Sequence, residues 1–275
     1  MSRTRLIALT GIVAALAWTA VLAGAAGGLE RLFVLDCGQN TGKDQSLWSP
    51  GVNEGKPIEF SDNCYLIRHA KGLLLWDTGI PDAVAAMPDG MVVANGAITF
   101  RRAKTLAAQL VEIGVKPADI TYVALSHTHG DHVGNVALFP SSTIMIRGAE
   151  YDWAMTQPAK PAFAPTQTIE KLTGDRDVFG DGSVMILATP GHTPGHQALL
   201  VLLPKTGAIV LSGDAVHFRD NWEQRRVPGI NFNREQTLAS MQRIASILEA
   251  RKAQLWINHD KTQSAQLRYA PVYYE

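Results

Sequence analysis

The alternation of apolar and polar positions divides the chain into two rounds of one pattern. Residues 29–36 read as a first strand, and residues 37–56 follow as a polar, Gly-containing loop. Residues 63–68 and 72–77 alternate as the arms of a hairpin that turns at His69-Ala70-Lys71. Residues 81–96 form a long connection of the kind that serves as a lid or binding wall. Residues 102–114 are a helix, because Leu106, Leu110 and Ile113 share a face and Gly114 ends it. Residues 120–125 are apolar and β-branched, the mark of a buried strand, and residues 133–139 are a short helix stopped by Pro140.

The second round opens with a strand over residues 143–147 and a short helix over 149–155. Pro158, Pro161 and Pro165 keep residues 157–168 extended or loop-like. Residues 183–188 are a strand after the Asp181-Gly182 turn, and residues 197–203 and 208–211 form another hairpin. The clearest helix covers residues 233–250, with Asn233 as cap, Gln236 placed to return the capping bond, and Leu238, Met241, Ala245 and Leu248 as its buried face. Residues 254–258 are a last strand. Hairpins followed by strand–helix units, without a short repeat or a separating linker, predict an α/β protein.

Composition narrows the partners. A hydrophobic fraction of 46% with 18% charged residues suits a soluble protein with a sizeable core. Basic and acidic residues balance at 25 each, and no basic stripe marks a nucleic-acid partner. Residues 1–25 read as a signal peptide: Arg3 and Arg5 lead, Leu6 to Leu22 is almost entirely apolar, and Ala23-Gly24-Ala25 offers a small-residue cleavage site. Left uncleaved, residues 6–26 would make an anchor, since the run approaches the ~20 residues that span a bilayer. Only in that form does a membrane become a partner. Export follows either way, and the periplasm is the destination for a signal of this bacterial type. Cys37 and Cys64 either pair in that oxidising compartment or sit as two small buried residues on neighbouring strands.

The candidate chemistry lies at strand ends. His127-Thr128-His129-Gly130-Asp131-His132 follows the strand over residues 120–125, His192 follows 183–188, Asp214 follows 208–211, and His259 follows 254–258. Several strands of one sheet finish along one edge, which turns distant sequence positions into one site. Imidazole and carboxylate suit a borderline divalent metal such as zinc. These seven side chains are too many for one tetrahedral ion but suffice for two, about 3.5–4 Å apart. His127 and His129, two residues apart, share one metal that His192 completes. Asp131 and His132 lie past Gly130 and serve a second metal with His259, and Asp214 bridges. A water between two such ions would lose a proton near neutral pH and act as nucleophile. His196 reads as a hydrogen-bonded neighbour of the site, and His69 as a solvated turn residue. Trp48, Trp153, Trp222 and Phe218 are candidates to line a binding channel, or are core.

His127 to His132, Gly191-His192, Gly213-Asp214, His259 and the Asp77-Thr78-Gly79 turn together resemble the metallo-β-lactamase superfamily, over residues 29–275. The resemblance implies one hydrolase domain with a four-layer αββα sandwich. It also implies two zinc ions between the sheets and hydrolysis by a metal-bridging hydroxide. Leu35-Asp36-Cys37-Gly38, Asp214 and His259-Asp260 look most like the N-acyl-homoserine lactonase group, which implies a small lactone or related ester as substrate. β-Lactamases and organophosphate hydrolases share the scaffold, and a metal-binding protein without turnover is the remaining alternative. Asp131 is expected to hand a proton to the leaving oxygen. Such lactonases carry a tyrosine three residues after the bridging aspartate, held to contact the substrate carbonyl. Here His217 stands there and would steady the carbonyl as a hydrogen-bond donor. Acyl length, native metal and oligomeric state do not follow from the sequence.

Overall fold

Strand β1 (Leu29–Gly42) alternates its apolar side chains so that Leu32 and Val34 face one side while Phe33 and Leu35 face the other. It pairs antiparallel with β2 (Ile58–His69), which pairs with β3 (Gly72–Trp76). There follow β4 (Met91–Val93), β5 (Ile98–Arg101), helix α1 (Leu106–Glu112), β6 (Tyr122–Ala124), α2 (Gly130–Val133), β7 (Thr143–Arg147), α3 (Gly148–Ala154) and β8 (Thr168–Leu172). These strands order as β4-β5-β1-β2-β3-β6-β7-β8, with the pairs from β3 to β8 parallel. The coordinates are a computed structural model that describes residues 28–275, so the signal segment expected over residues 1–25 lies outside the described residues.

The second sheet takes β9 (Arg176–Asp177), β10 (Val184–Ala188), β11 (Gln197–Leu203) and β12 (Gly207–Leu211). After α4 (Arg219–Glu223) and α5 (Arg234–Arg251) it gains β13 (Gln254–Trp256), giving the order β13-β12-β11-β10-β9. The chain then forms α6 (Lys261–Ser264) and returns with β14 (Tyr273–Tyr274) against β1.

Three apolar cores separate four layers. Leu32, Ile67, Leu74 and Trp76 of the first sheet meet Ile186, Leu199, Val201 and Leu211 of the second. On the outer face of the first sheet, Leu35, Leu66 and Leu75 pack under Leu106 and Leu110 of α1. On the outer face of the second, Leu200, Val210 and Leu255 pack under Met241 and Ile244 of α5. The result is the αββα sandwich that the resemblance implied. Among the described residues no helix is long and apolar enough to cross a membrane.

Several expected boundaries move, each for a physical reason. β1 runs on to Gly42, into the loop expected over residues 37–56, and β2 starts at Ile58, ahead of the arm expected from residue 63. The extra strand residues include Asn40, Ser61 and Asp62, which are polar yet buried, so apolar alternation does not mark them. The connection over residues 81–96 holds a 3-10 turn and β4, which pairs with β5. The helix expected from residue 102 starts at Leu106, where the Thr105 hydroxyl caps the Ala108 N–H at 3.1 Å. The short helix expected over residues 133–139 is instead α2 followed by a 3-10 turn over Val136–Leu138. Asn233 caps α5 as expected, but the helix buries Thr237, Ser240, Met241 and Ile244, with Leu238, Ala245 and Leu248 only half-buried. His69 is not solvated: it is buried, stacked on Phe179 at 4.0 Å and paired with Asp181 at 2.8 Å.

Candidate metal centre

The strand ends converge from both sheets. β10, β12 and β13 run the same way in the second sheet, so the turns that follow them carry His192, Asp214 and His259 to one edge. β6, in the first sheet, delivers the fourth loop to the same edge. Gln197, at the start of β11, ties the two sheets there: its N–H donates to Ser126 O at 2.9 Å and its amide to Leu125 O at 2.8 Å.

Two groups of donors result. His127 Nε2 lies 2.9 Å from His129 Nδ1, which lies 3.0 Å from His192 Nε2. His132 Nε2 lies 3.4 Å from His259 Nε2, and Asp131 Oδ2 stands 3.9 Å from the latter. Asp214 sits between the groups and divides its oxygens. Oδ2 faces His192 at 3.3 Å and His127 at 3.7 Å, while Oδ1 faces His259 at 3.1 Å and His132 at 3.3 Å. All seven sequence-expected side chains therefore meet. His217 joins them, with Nε2 3.3 Å from Asp214 Oδ2 and a buried Nδ1 that has no hydrogen-bond partner.

The outer hydrogen bonds fix which nitrogens face inward. His132 Nδ1 donates to Asp77 Oδ2 at 3.0 Å, His192 Nδ1 to Asn231 Oδ1 at 3.0 Å, and His259 Nδ1 to the Ser61 carbonyl at 2.8 Å. An imidazole whose proton is on Nδ1 presents a lone pair at Nε2. Lone pairs and two carboxylates thus crowd one space, and Asp214 Oδ1 finds no hydrogen-bond donor. That arrangement repels itself unless positive charge enters it, either as protons on the imidazoles or as divalent cations.

The acid–base character agrees. Burial, reinforced by neighbouring imidazoles, drives His127 and His192 well below the usual histidine range. Burial lowers His129 as well. Burial opposes charge on His132 and His259 too, but Asp214, with Asp77 or Asp131, outweighs it and lifts His132 well above that range and His259 to about 9. Burial would raise Asp214, yet the imidazoles led by His259 and His132 hold it well below the carboxylate range. The field at the second group favours positive charge there.

His196 keeps outside the donor groups. Its Nδ1 bonds Thr189 O at 2.9 Å and its Nε2 accepts the Asp214 N–H at 2.8 Å, while burial holds it neutral, down to about 4. Gly213, at φ +50°, lies so close that a Cβ there would stand 2.7 Å from His196 Nε2. Sequence reading missed Asn40, whose amide donates to Asp131 Oδ2 at 2.6 Å, and Asn231 beside His192. It also missed Asp62, a fully buried carboxyl that burial raises to about 7 and that accepts from Asn258 at 3.1 Å. None carries a sequence signal, because each is a lone polar residue in a strand or turn. Of the expected aromatics, Trp48 and Phe218 pack with Phe60 next to His259, and Trp153 approaches His129 at 6.1 Å. Trp222 packs against the α5 core instead.

Residues 58–251 match the profile of the metallo-beta-lactamase superfamily. The chain is 31% identical over 260 residues to the N-acyl homoserine lactonase AttM of Azorhizobium caulinodans, covering 89% of this chain and 98% of the relative. It is 30% identical to the N-acyl homoserine lactonase AiiA of Bacillus thuringiensis subsp. kurstaki, covering 89% and 99%. A solved N-acyl homoserine lactone hydrolase, with N-hexanoyl-L-homoserine bound at its catalytic metal center, superposes with a TM-score of 0.80 at 28% identity, covering 90% of this chain and 99% of that one.

Proposed function

The chain belongs to the metallo-beta-lactamase superfamily, and on that premise we propose that it is a two-zinc hydrolase that opens N-acyl-homoserine lactones or closely related esters. The observation that carries this reading is the divided carboxylate of Asp214, one oxygen toward each donor group, in a chain whose relatives are named lactonases. The donors are imidazole and carboxylate, and the two cysteines are bonded to each other, so zinc suits the set. When bound, the ions would supply a water acidified toward neutral pH and positive charge for the carbonyl oxygen.

The protein's own groups do the rest. The water oxygen adds to the lactone carbonyl carbon, the ring C–O bond breaks, and the ring oxygen leaves with a proton. Asp131 is placed to take a proton from the attacking water and deliver it to the ring oxygen: Asn40 holds its Oδ2, which leaves Oδ1 to carry it. His217 donates an N–H to the carbonyl oxygen as negative charge develops there. Trp48, Phe60 and Phe218 wall the His259 side with apolar surface, which keeps water out and suits an acyl chain.

Metal analysis combined with a hydrolysis panel tests the proposal. Two equivalents of zinc and turnover of acyl-homoserine lactones ahead of imipenem and paraoxon are expected. A metal-loaded protein inert to every lactone and ester would defeat the reading. His217→Phe should lower kcat/KM on the lactone by about 10²-fold, the cost of one lost oxyanion donor, with metal content unchanged and partial recovery in His217→Tyr. Wild-type kinetics in His217→Phe would remove this histidine from the reaction.

We further propose that residues 29–275 act as one exported hydrolase domain, released in the periplasm after residue 25. Arg3, Arg5 and the apolar run to Leu22 support export, and the Cys37–Cys64 bond suits an oxidising compartment. N-terminal sequencing of the periplasmic protein should begin at Ala26; recovery of the whole chain in membranes would mean that residues 6–26 anchor it.

A further inference from the structure

Glu150 is a fully buried carboxylate in the first turn of α3 whose hydrogen bonds go to none of the seven donors. Burying a carboxylate is costly unless charge-assisted hydrogen bonds satisfy it. Here three do. Oε1 accepts from the Thr128 N–H at 2.9 Å and from the Thr128 hydroxyl at 2.8 Å, and Oε2 accepts from the Gly195 N–H at 3.0 Å.

The identity of those partners gives the contact its meaning. Thr128 lies between His127 and His129. Gly195 lies in the turn that carries His192 and His196, and His196 in turn holds the Asp214 N–H. One carboxylate therefore grips both loops that supply His127, His129 and His192. The fit is close: a Cβ at Gly195 would stand 2.3 Å from Glu150 N and 2.5 Å from Glu150 Cβ, so only glycine lets α3 seat there. The other donor group is anchored by different residues, with Asp77 on His132, the Ser61 carbonyl on His259 and Asn40 on Asp131.

We propose that Glu150 is the positioning residue for metal binding at the His127–His129–His192 group, coupling two loops so that these three nitrogens assemble as a unit. The inference rests on the two-zinc reading above. Neutral Glu150→Gln replaces one acceptor by an N–H₂ that must face an N–H or O–H donor, so at least one of the three bonds is lost and the two loops uncouple.

Fully zinc-loaded protein, titrated with a chelator and followed by elemental analysis, tests this. Glu150→Gln should give up its first zinc at about 10–100-fold lower chelator activity than wild type, the usual cost of losing a residue that orients ligands. Its second zinc should leave as in wild type. Cobalt-substituted protein should show the same split, with the visible absorption of one ion lost first. Thr128→Val removes one of the three bonds and should shift the first ion by a smaller factor, whereas Thr128→Ser should match wild type; these two variants decide the matter if Glu150→Gln does not fold. A purely structural role predicts a lower unfolding temperature of the metal-free protein and parallel release of both ions, and that result would overturn the proposal. A wild type that never holds two equivalents would instead bring down the two-zinc reading and this inference with it.

Discussion

Asp214→Ala is expected to lose zinc from both donor groups and to lower kcat/KM on an acyl-homoserine lactone by at least about 10³-fold, or about 4 kcal/mol of transition-state stabilisation. Among the described residues, Asp214 is the side chain that stands between the two groups. Its carboxylate lies within 3.7 Å of His127, His132, His192, His217 and His259. Alanine leaves those imidazoles facing one another with no carboxylate between them, Asp131 and Asp77 standing only beside the second group. Any cation that entered would lose its bridging oxygen and its strongest electrostatic partner. Asp214→Asn keeps the shape and one oxygen, so it should fold normally, retain part of the metal and still be severely impaired. Elemental analysis beside lactone turnover provides the check. An alanine variant with full metal content and unimpaired turnover would sink the proposed centre.

Reduction of the Cys37–Cys64 bond, or Cys64→Ser, should cost about 3–4 kcal/mol of stability, the entropy of a closed loop of this size in the unfolded chain. Tm should fall by roughly 7–14 °C for a domain of this length. The two residues are 27 apart in sequence, fully buried, and joined across β1 and β2 with Cα atoms 5.6 Å apart. A register shift between Asp36 and Gly38 inserts Cys37 into β1 beside Cys64. The bond also lies under the site. Cys37 O accepts from Ile80 N at 3.1 Å and from Arg102 Nη1 at 3.1 Å, so Cys37 packs on the turn that begins with Asp77, the partner of His132. Thermal unfolding of oxidised and reduced protein, each zinc-loaded, measures the effect. Identical midpoints would mean that the cross-link contributes nothing.

Sequence pattern and folded structure diverge at particular residues. Apolar alternation marks residues 29–36 as strand because Leu32 and Val34 face one core and Phe33 and Leu35 another. It goes silent at Asn40, Ser61 and Asp62, which are strand residues buried for their polarity. His69 misleads for a related reason: a histidine in a turn reads as solvated until Phe179 and Asp181, more than a hundred residues away, are brought against it. In α5 the sequence favours Leu238, Ala245 and Leu248, but the helix turns Thr237 and Ser240 inward, where their hydroxyls donate to the Asn233 and Pro190 carbonyls at 2.8 and 2.7 Å.

What the sequence determined by itself was the candidate donor set and its order, His127, His129, Asp131, His132, His192, Asp214 and His259. Metal chemistry resides in side-chain type, and strand ends can be read from local pattern. What only the tertiary structure decided was how those donors divide in space. It set which oxygen of Asp214 faces which group, and which nitrogen of each imidazole is turned inward by Asp77, Asn231 or the Ser61 carbonyl. It also brought Glu150 between the two loops. These are pairings of single polar residues across dozens to hundreds of positions, as between His259 and Ser61, 198 apart. They leave no periodic trace, because their geometry exists only after the apolar cores have packed the two sheets face to face.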